Sequence, residues 1–202
     1  MERQTTLRRK DARRVHAAIL DAAAERLQDD PESSFADIAR QAGVGQATVY
    51  RHFSDRRALI VALLEQAIDR VGDFAAGQDP VPGRFERLLR ATVAEQVACQ
   101  GLMSVIRAEA VADDRIDGIV QRVVKLFRLP LAEAKAEGTV RGDLEAEEMP
   151  MLFAMLDGAL MAAKPGARQE TADRMLELLV DGLAVERLTP QAEKTSSSSL
   201  RP

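Results

Sequence analysis

The sequence predicts an all-α protein built as a small helix-turn-helix module followed by a larger helical body. Apolar residues recur at helical spacing along almost the whole chain, with little of the alternating β-branched pattern of strands. The run Gly77-Gln78-Asp79-Pro80-Val81-Pro82-Gly83 is rich in breakers and marks a boundary about two-fifths of the way along. A length of 202 residues suits one large domain or a small module on a larger body, and leaves no room for a multidomain enzyme.

Composition narrows the class. Hydrophobic residues make up 46% and charged residues 30%, enough for a buried core in a soluble chain. The longest stretch without a charge, Gln96 to Ile106, has eleven residues, whereas a membrane-spanning helix needs ~20. Neither a membrane span nor a secretory signal is expected, and the expected location is cytoplasmic. Cys99 has no second cysteine to pair with, and His16 and His52 lie far apart without zinc-type spacing, so neither a structural metal nor a cofactor is expected. The net charge of -4 is unevenly spread: residues 1 to 60 hold eleven Lys/Arg and nine Asp/Glu. Six of those basic residues fall within the first fourteen positions. Residues 1–14 are therefore expected to form a basic flexible arm able to lie along phosphates, a composition shared with solubilising tails.

The elements follow in order. Val15, Ile19, Ala22, Ala23 and Leu27 lie on one helical face, and Asp29-Asp30-Pro31 ends that helix. Ser34 followed by Asp37 reads as a capping box, with Ile38, Ala39 and Ala42 supplying the stripe of a short second helix. Gly43 can take positive φ just past its end, and a third helix starts at Gly45 or Gln46. Ser54 is placed to cap a connecting helix, about 55 to 73, that carries Leu59, Ile60, Leu63, Leu64, Ile68 and Val71. The head thus spans 15–60 and the body 74–189. Body helices are expected at about 84–100, 102–113, 116–137 (kinked or interrupted at Pro130), 147–163 and 170–187. Residues 190–202, with their serine run, have nothing to pack and are expected to be disordered.

Two helices meeting across a tight turn between Ser34 and Phe53 have the shape of a DNA-reading helix-turn-helix, although a generic αα-hairpin with a solvated polar face has the same pattern. Gln46 and Arg51 can hydrogen-bond base edges and Ala47 allows close approach, while Thr48, Tyr50 and His52 suit phosphates. Val44, Val49 and Phe53 form the inward side.

The segment Ser34 to Leu59, SFADIARQAGVGQATVYRHFSDRRAL, resembles the DNA-binding signature of the tetracycline-repressor (TetR) family. The likeness rests on Ile38-Ala39, Ala42-Gly43-Val44 at the turn, Thr48-Val49-Tyr50, Phe53, and Arg56 with Leu59; it covers about a quarter of the chain. Carried over, it implies that Gln46, Ala47 and Arg51 face bases and that Ser34, Thr48, Tyr50, His52 and Arg56 hold phosphates. Arg56 replaces the lysine common in the family, Gly45 a frequent serine, and Ala36 a base-reading arginine of some members.

The body segments 147–163 and 170–187 are apolar around most of their circumference, which fits burial within one subunit or between two. The resemblance implies the second: a homodimer joined by a four-helix interface, with Leu156, Leu160, Met175, Leu179 and Leu183 at the contact. It also implies a small-molecule effector cavity in each body, with Phe74, Cys99, Met103, Arg107, Phe127 and Phe153 as wall candidates, and a repressor leaving a pseudo-palindromic double-stranded DNA operator when the effector binds. Two other classes fit the residues less well. An enzyme would need a nucleophile with a base or a tuned carboxylate pair, and no such motif is visible. A helical interaction module that has lost DNA binding conflicts with the intact Gln46, Thr48, Tyr50, His52 and Arg56.

Overall fold

The computed structural model describes residues 2–30, 32–77, 82–99, 114–164 and 166–184. Among these, the chain forms α1 (Glu2–Asp29), α2 (Phe35–Gln41), α3 (Gln46–His52), α4 (Arg56–Ala76), α5 (Arg84–Ala98), α6 (Asp114–Ala136), α7 (Met149–Ala162) and α8 (Arg168–Leu183). A 3₁₀ turn, Ala146–Glu148, leads into α7. No strand occurs among the described residues, and one isolated bridge ties Val140 to Ala184, with the Arg141 N–H donating to the Leu183 carbonyl at 2.8 Å. The expected segment 102–113 and the tail 190–202 lie outside the described residues, as do Met103 and Arg107.

The basic arm is not separate from the first helix: α1 begins at Glu2. Residues 2–14 contain no glycine or proline and hold five arginines, a good helix former. Once the packed part of α1 has nucleated, each added residue gains a backbone hydrogen bond without a new nucleus.

The turns of the head follow their local chemistry. The Ser34 hydroxyl oxygen accepts the Asp37 N–H at 3.2 Å while the Asp37 carboxylate accepts the Ser34 N–H at 3.2 Å, completing the capping box. At the other end of α2, Gly43 takes φ +67°. The Val44 N–H then reaches the Ala39 carbonyl at 3.0 Å and the Gly43 N–H the Arg40 carbonyl at 3.3 Å, the two bonds of a Schellman ending. Helix α3 starts at Gly45 without a side-chain cap. Asp55, not Ser54, caps α4: its carboxylate accepts the Ala58 N–H at 2.7 Å, while the Ser54 hydroxyl donates to Asp55. A charged acceptor suits the positive end of a helix better than a hydroxyl. That N–H and the Ser54 hydroxyl hold the Asp55 carboxyl below the usual carboxylate value.

Two apolar cores share one helix. In the head, Ile19, Leu27, Ile38, Val49 and Phe53 pack with Leu59, Ile60 and Leu63 of α4. In the body, Leu88, Leu89, Phe127, Met149, Leu156 and Leu160 pack with Val71 and Ala75 from the far end of α4. Each large side chain so buried contributes about 1.5–3 kcal/mol. Helix α6 runs unbroken through Pro130, because the stripe Val123, Phe127, Leu131 and Ala134 anchors it on both sides of the missing N–H. Pro150 sits in the first turn of α7, where no intrahelical donor is required.

Candidate functional site

The outer face of α3 carries Gln46, Ala47, Tyr50 and Arg51, all exposed and spaced so that they share one side of the helix. Val49, on the opposite side, is fully buried and fixes the helix to α1 and α2. Arg51 donates to the Thr48 hydroxyl at 2.9 Å, which holds its guanidinium along the helix. Tyr50 leans its ring on Phe35, 5.0 Å between centroids, and leaves its hydroxyl end outward at 54% residue exposure. The remaining phosphate candidates are engaged within the chain. Ser34 donates to Asp37 at 2.6 Å, and Arg56 donates to the Ser33 carbonyl at 2.8 Å. His52 is half-buried, 5.6 Å from the His16 ring of α1.

A half-open cavity of about 290 Å³ lies between α4, α5, α6 and α7. Leu64, Ala67, Ile68 and Val71 of α4 form one wall. Of the wall candidates, Cys99 and Phe153 line it; Phe74 and Phe127 do not. Phe74 faces outward from the last turns of α4, and Phe127 is sealed in the core between Phe85 and Phe153. Four polar lining residues, Thr92, Glu95, Gln96 and Asp157, were missed by sequence reasoning. Asp157 had a signal: it is the lone acid inside an apolar helix, one turn after Phe153. Burial pushes the Cys99 thiol up to about 11, so it is a neutral, unreactive thiol at physiological pH.

Three of the five residues expected at a dimer contact lie inside the subunit. Leu156 and Leu160 have no exposed surface and Leu183 is buried, so all three are spent on the subunit's own core. Met175 and Leu179 are half-buried against that core. What α7 and α8 leave outside is a different apolar set: Met151, Met155, Met161 and Leu178, each about half exposed. Periodicity shows that a helix is apolar all round but not which arc its own subunit covers.

Comparison with known proteins places both halves. The family described as bacterial regulatory proteins, tetR family, matches residues 19–63. The transcriptional regulator SbtR-like C-terminal domain matches residues 82–185, half of the chain. The HTH-type transcriptional repressor LfrR of Mycolicibacterium smegmatis is 29% identical over 179 residues, covering 84% of this chain and 90% of LfrR. A TetR transcription regulatory protein from Mycobacterium vanbaalenii superposes with TM-score 0.63 at 27% identity, covering 88% of this chain and 99% of that one. The crystal structure of LfrR from Mycobacterium smegmatis in complex with proflavine shares the fold at 24% identity and TM-score 0.51, over 85% and 98% of the two chains. Its DNA-binding module, its body and their order along the chain together make this protein a member of the TetR family of DNA-binding bacterial transcriptional regulators, which are not enzymes.

Proposed function

We propose that the protein is a homodimeric repressor that holds a pseudo-palindromic operator and leaves it when a small organic molecule enters the body cavity. The observation that carries this reading is the double role of α4. Its Leu64, Ala67, Ile68 and Val71 line the cavity while its Leu59, Ile60 and Leu63 belong to the core of the DNA-binding head. A ligand that pushes on the wall therefore pushes on the head. Ion pairs reinforce the linkage: Arg70 with Glu95 of α5 at 2.6 Å, and Glu65 and Asp69 with Arg115 and Arg122 of α6. In this reading Gln46, Ala47 and Arg51 read bases, and Ser34, Thr48, Tyr50, His52 and Arg56 hold phosphates, with Arg56 and Ser34 exchanging internal partners for DNA oxygens. The basic start of α1 adds nonspecific attraction. The second subunit covers the Met151, Met155, Met161 and Leu178 face, since a patch of that kind favours a self-complementary contact about a two-fold axis. That LfrR, which shares this fold, forms a complex with proflavine supports a small-molecule ligand. No helix among the described residues is long and apolar enough to cross a membrane.

Footprinting on the DNA upstream of the protein's own gene tests this. Two protected half-sites about one DNA turn apart, or a multiple of it, are expected. A single unrepeated site, or no sequence preference, would overturn the dimeric-repressor reading.

A further inference from the structure

Gln96 of α5 and Phe153 of α7 both line the cavity, and the Gln96 Nε2 joins the two helices by donating to the Phe153 carbonyl at 2.6 Å. That bond fixes which way the amide faces. Turned over, it would set Oε1 against the carbonyl oxygen, two acceptors with no proton between them. The oxygen is therefore the end left over, and it is buried with no hydrogen-bond partner. Thr92, one turn earlier on the same helix, cannot serve it, because its hydroxyl gives its proton to the Leu88 carbonyl at 2.9 Å. An amide oxygen kept from both water and protein donors carries an uncompensated desolvation cost.

We infer that the effector is a compact apolar molecule bearing a hydroxyl or N–H donor, and that Gln96 Oε1 is the acceptor that selects it. This rests on the reading of the cavity as the effector site. Pivoting on its bond to Phe153, the side chain can present Oε1 to the cavity by its own torsions, with no movement of the backbone. A donor on the ligand then satisfies an acceptor that had none, whereas a ligand without a donor leaves the cost standing. Such a site discriminates more sharply than an apolar wall does, since the wrong ligand strands a buried polar group. Asp157 is engaged within the protein, and the selection asks nothing of it. With its donor end held at α5, the ligand lays its apolar body among lining that includes Leu64, Ala67 and Val71 of α4, the helix shared with the head. A cavity of about 290 Å³ stands at the small end of ligand sites and suits a compact body.

Equilibrium dialysis of three probes against the full chain without DNA tests this: 1-naphthol, which has the donor; 1-methoxynaphthalene, which keeps the oxygen without its proton; and 1-methylnaphthalene, which matches the hydroxyl in size. Naphthol should bind at least about tenfold more tightly than either of the others, although both are more apolar. In Gln96→Met, which keeps the length of the side chain without its acceptor and is shown to be folded by circular dichroism, naphthol should lose that advantage. Equal affinities in the unaltered chain, tighter binding of either donor-free probe, no naphthol binding at millimolar concentration, or a naphthol preference intact in the folded Gln96→Met would each overturn it. Gln96→Leu gives the same comparison if the methionine variant does not fold, and the three-probe result on the unaltered chain decides the donor rule in either case. Adding naphthol to the operator complex separates the two readings: release of the DNA is expected. Preferred naphthol binding without release would leave Gln96 as the selecting acceptor and overturn effector-driven release alone.

Discussion

The Arg56 guanidinium donates to the Ser33 carbonyl 2.8 Å away, joining the first residue of α4 to the turn that precedes α2. Ser33 is buried, and its own hydroxyl reaches the Arg26 carbonyl at the end of α1 at 3.4 Å. Arg56 and Ser33 together therefore tie α1, the turn before α2 and α4 to one another.

Removing that link should loosen the head. Arg56→Ala leaves the Ser33 carbonyl without its charged donor and should cost about 1–3 kcal/mol in urea unfolding, with Arg56→Lys intermediate. A stability equal to that of the unaltered chain would show that water replaces the guanidinium without loss.

Arg51 and Tyr50 should separate base reading from backbone holding. Arg51→Ala should relax the preference at one operator position by about 1–3 kcal/mol, whereas Tyr50→Phe should weaken all sequences about equally. Selection from a randomised operator library measures both, and an unchanged preferred base at every position in Arg51→Ala would reassign Arg51 to the backbone.

The surface methionines and the buried leucines should behave differently. The pair Met155→Glu with Leu178→Glu places charge on the exposed face and should give a folded monomer in sedimentation. Leu156→Ala, in the subunit core, should instead cost about 2–5 kcal/mol of stability. A folded double-glutamate variant that remains dimeric at low micromolar concentration would place the contact elsewhere.

Acid should weaken the head through His16. Its ring stacks on Phe53 at 4.8 Å; burial, and then the nearby His52, lower its proton affinity from the ordinary 6.5, while Glu65 of α4 pulls it back up. Folded His16 thus holds a proton less tightly than the unfolded chain does. Its stabilisation is complete above pH 6.5 and is lost as the pH falls from there toward the lowered value. The capping carboxylates Asp37 and Asp55 are also lowered, and their losses begin only near the ordinary 3.8. Melting curves between about pH 7 and pH 5 should therefore show a falling midpoint that flattens in His16→Phe. An equal slope in that variant would remove His16 as the cause.

By itself the sequence determined the helical class, the capping box at Ser34, the positive-φ glycine at Gly43 and the exposed face of α3, because each depends on neighbours within a few positions. The α3 face was legible for the same reason: a short amphipathic helix with Val49 inward leaves Gln46, Ala47, Tyr50 and Arg51 only one way to point. Tertiary structure decided what a single helix leaves open. Helix α7 is apolar on most sides, and only the packing of α5 and α6 against it determines that Leu156 and Leu160 are core while Met151 and Met155 are surface. The cavity is likewise a property of four helices together. Thr92 and Gln96 on α5 and Asp157 on α7 become neighbours across it only when the body closes, since their separations of dozens of residues carry no local signal.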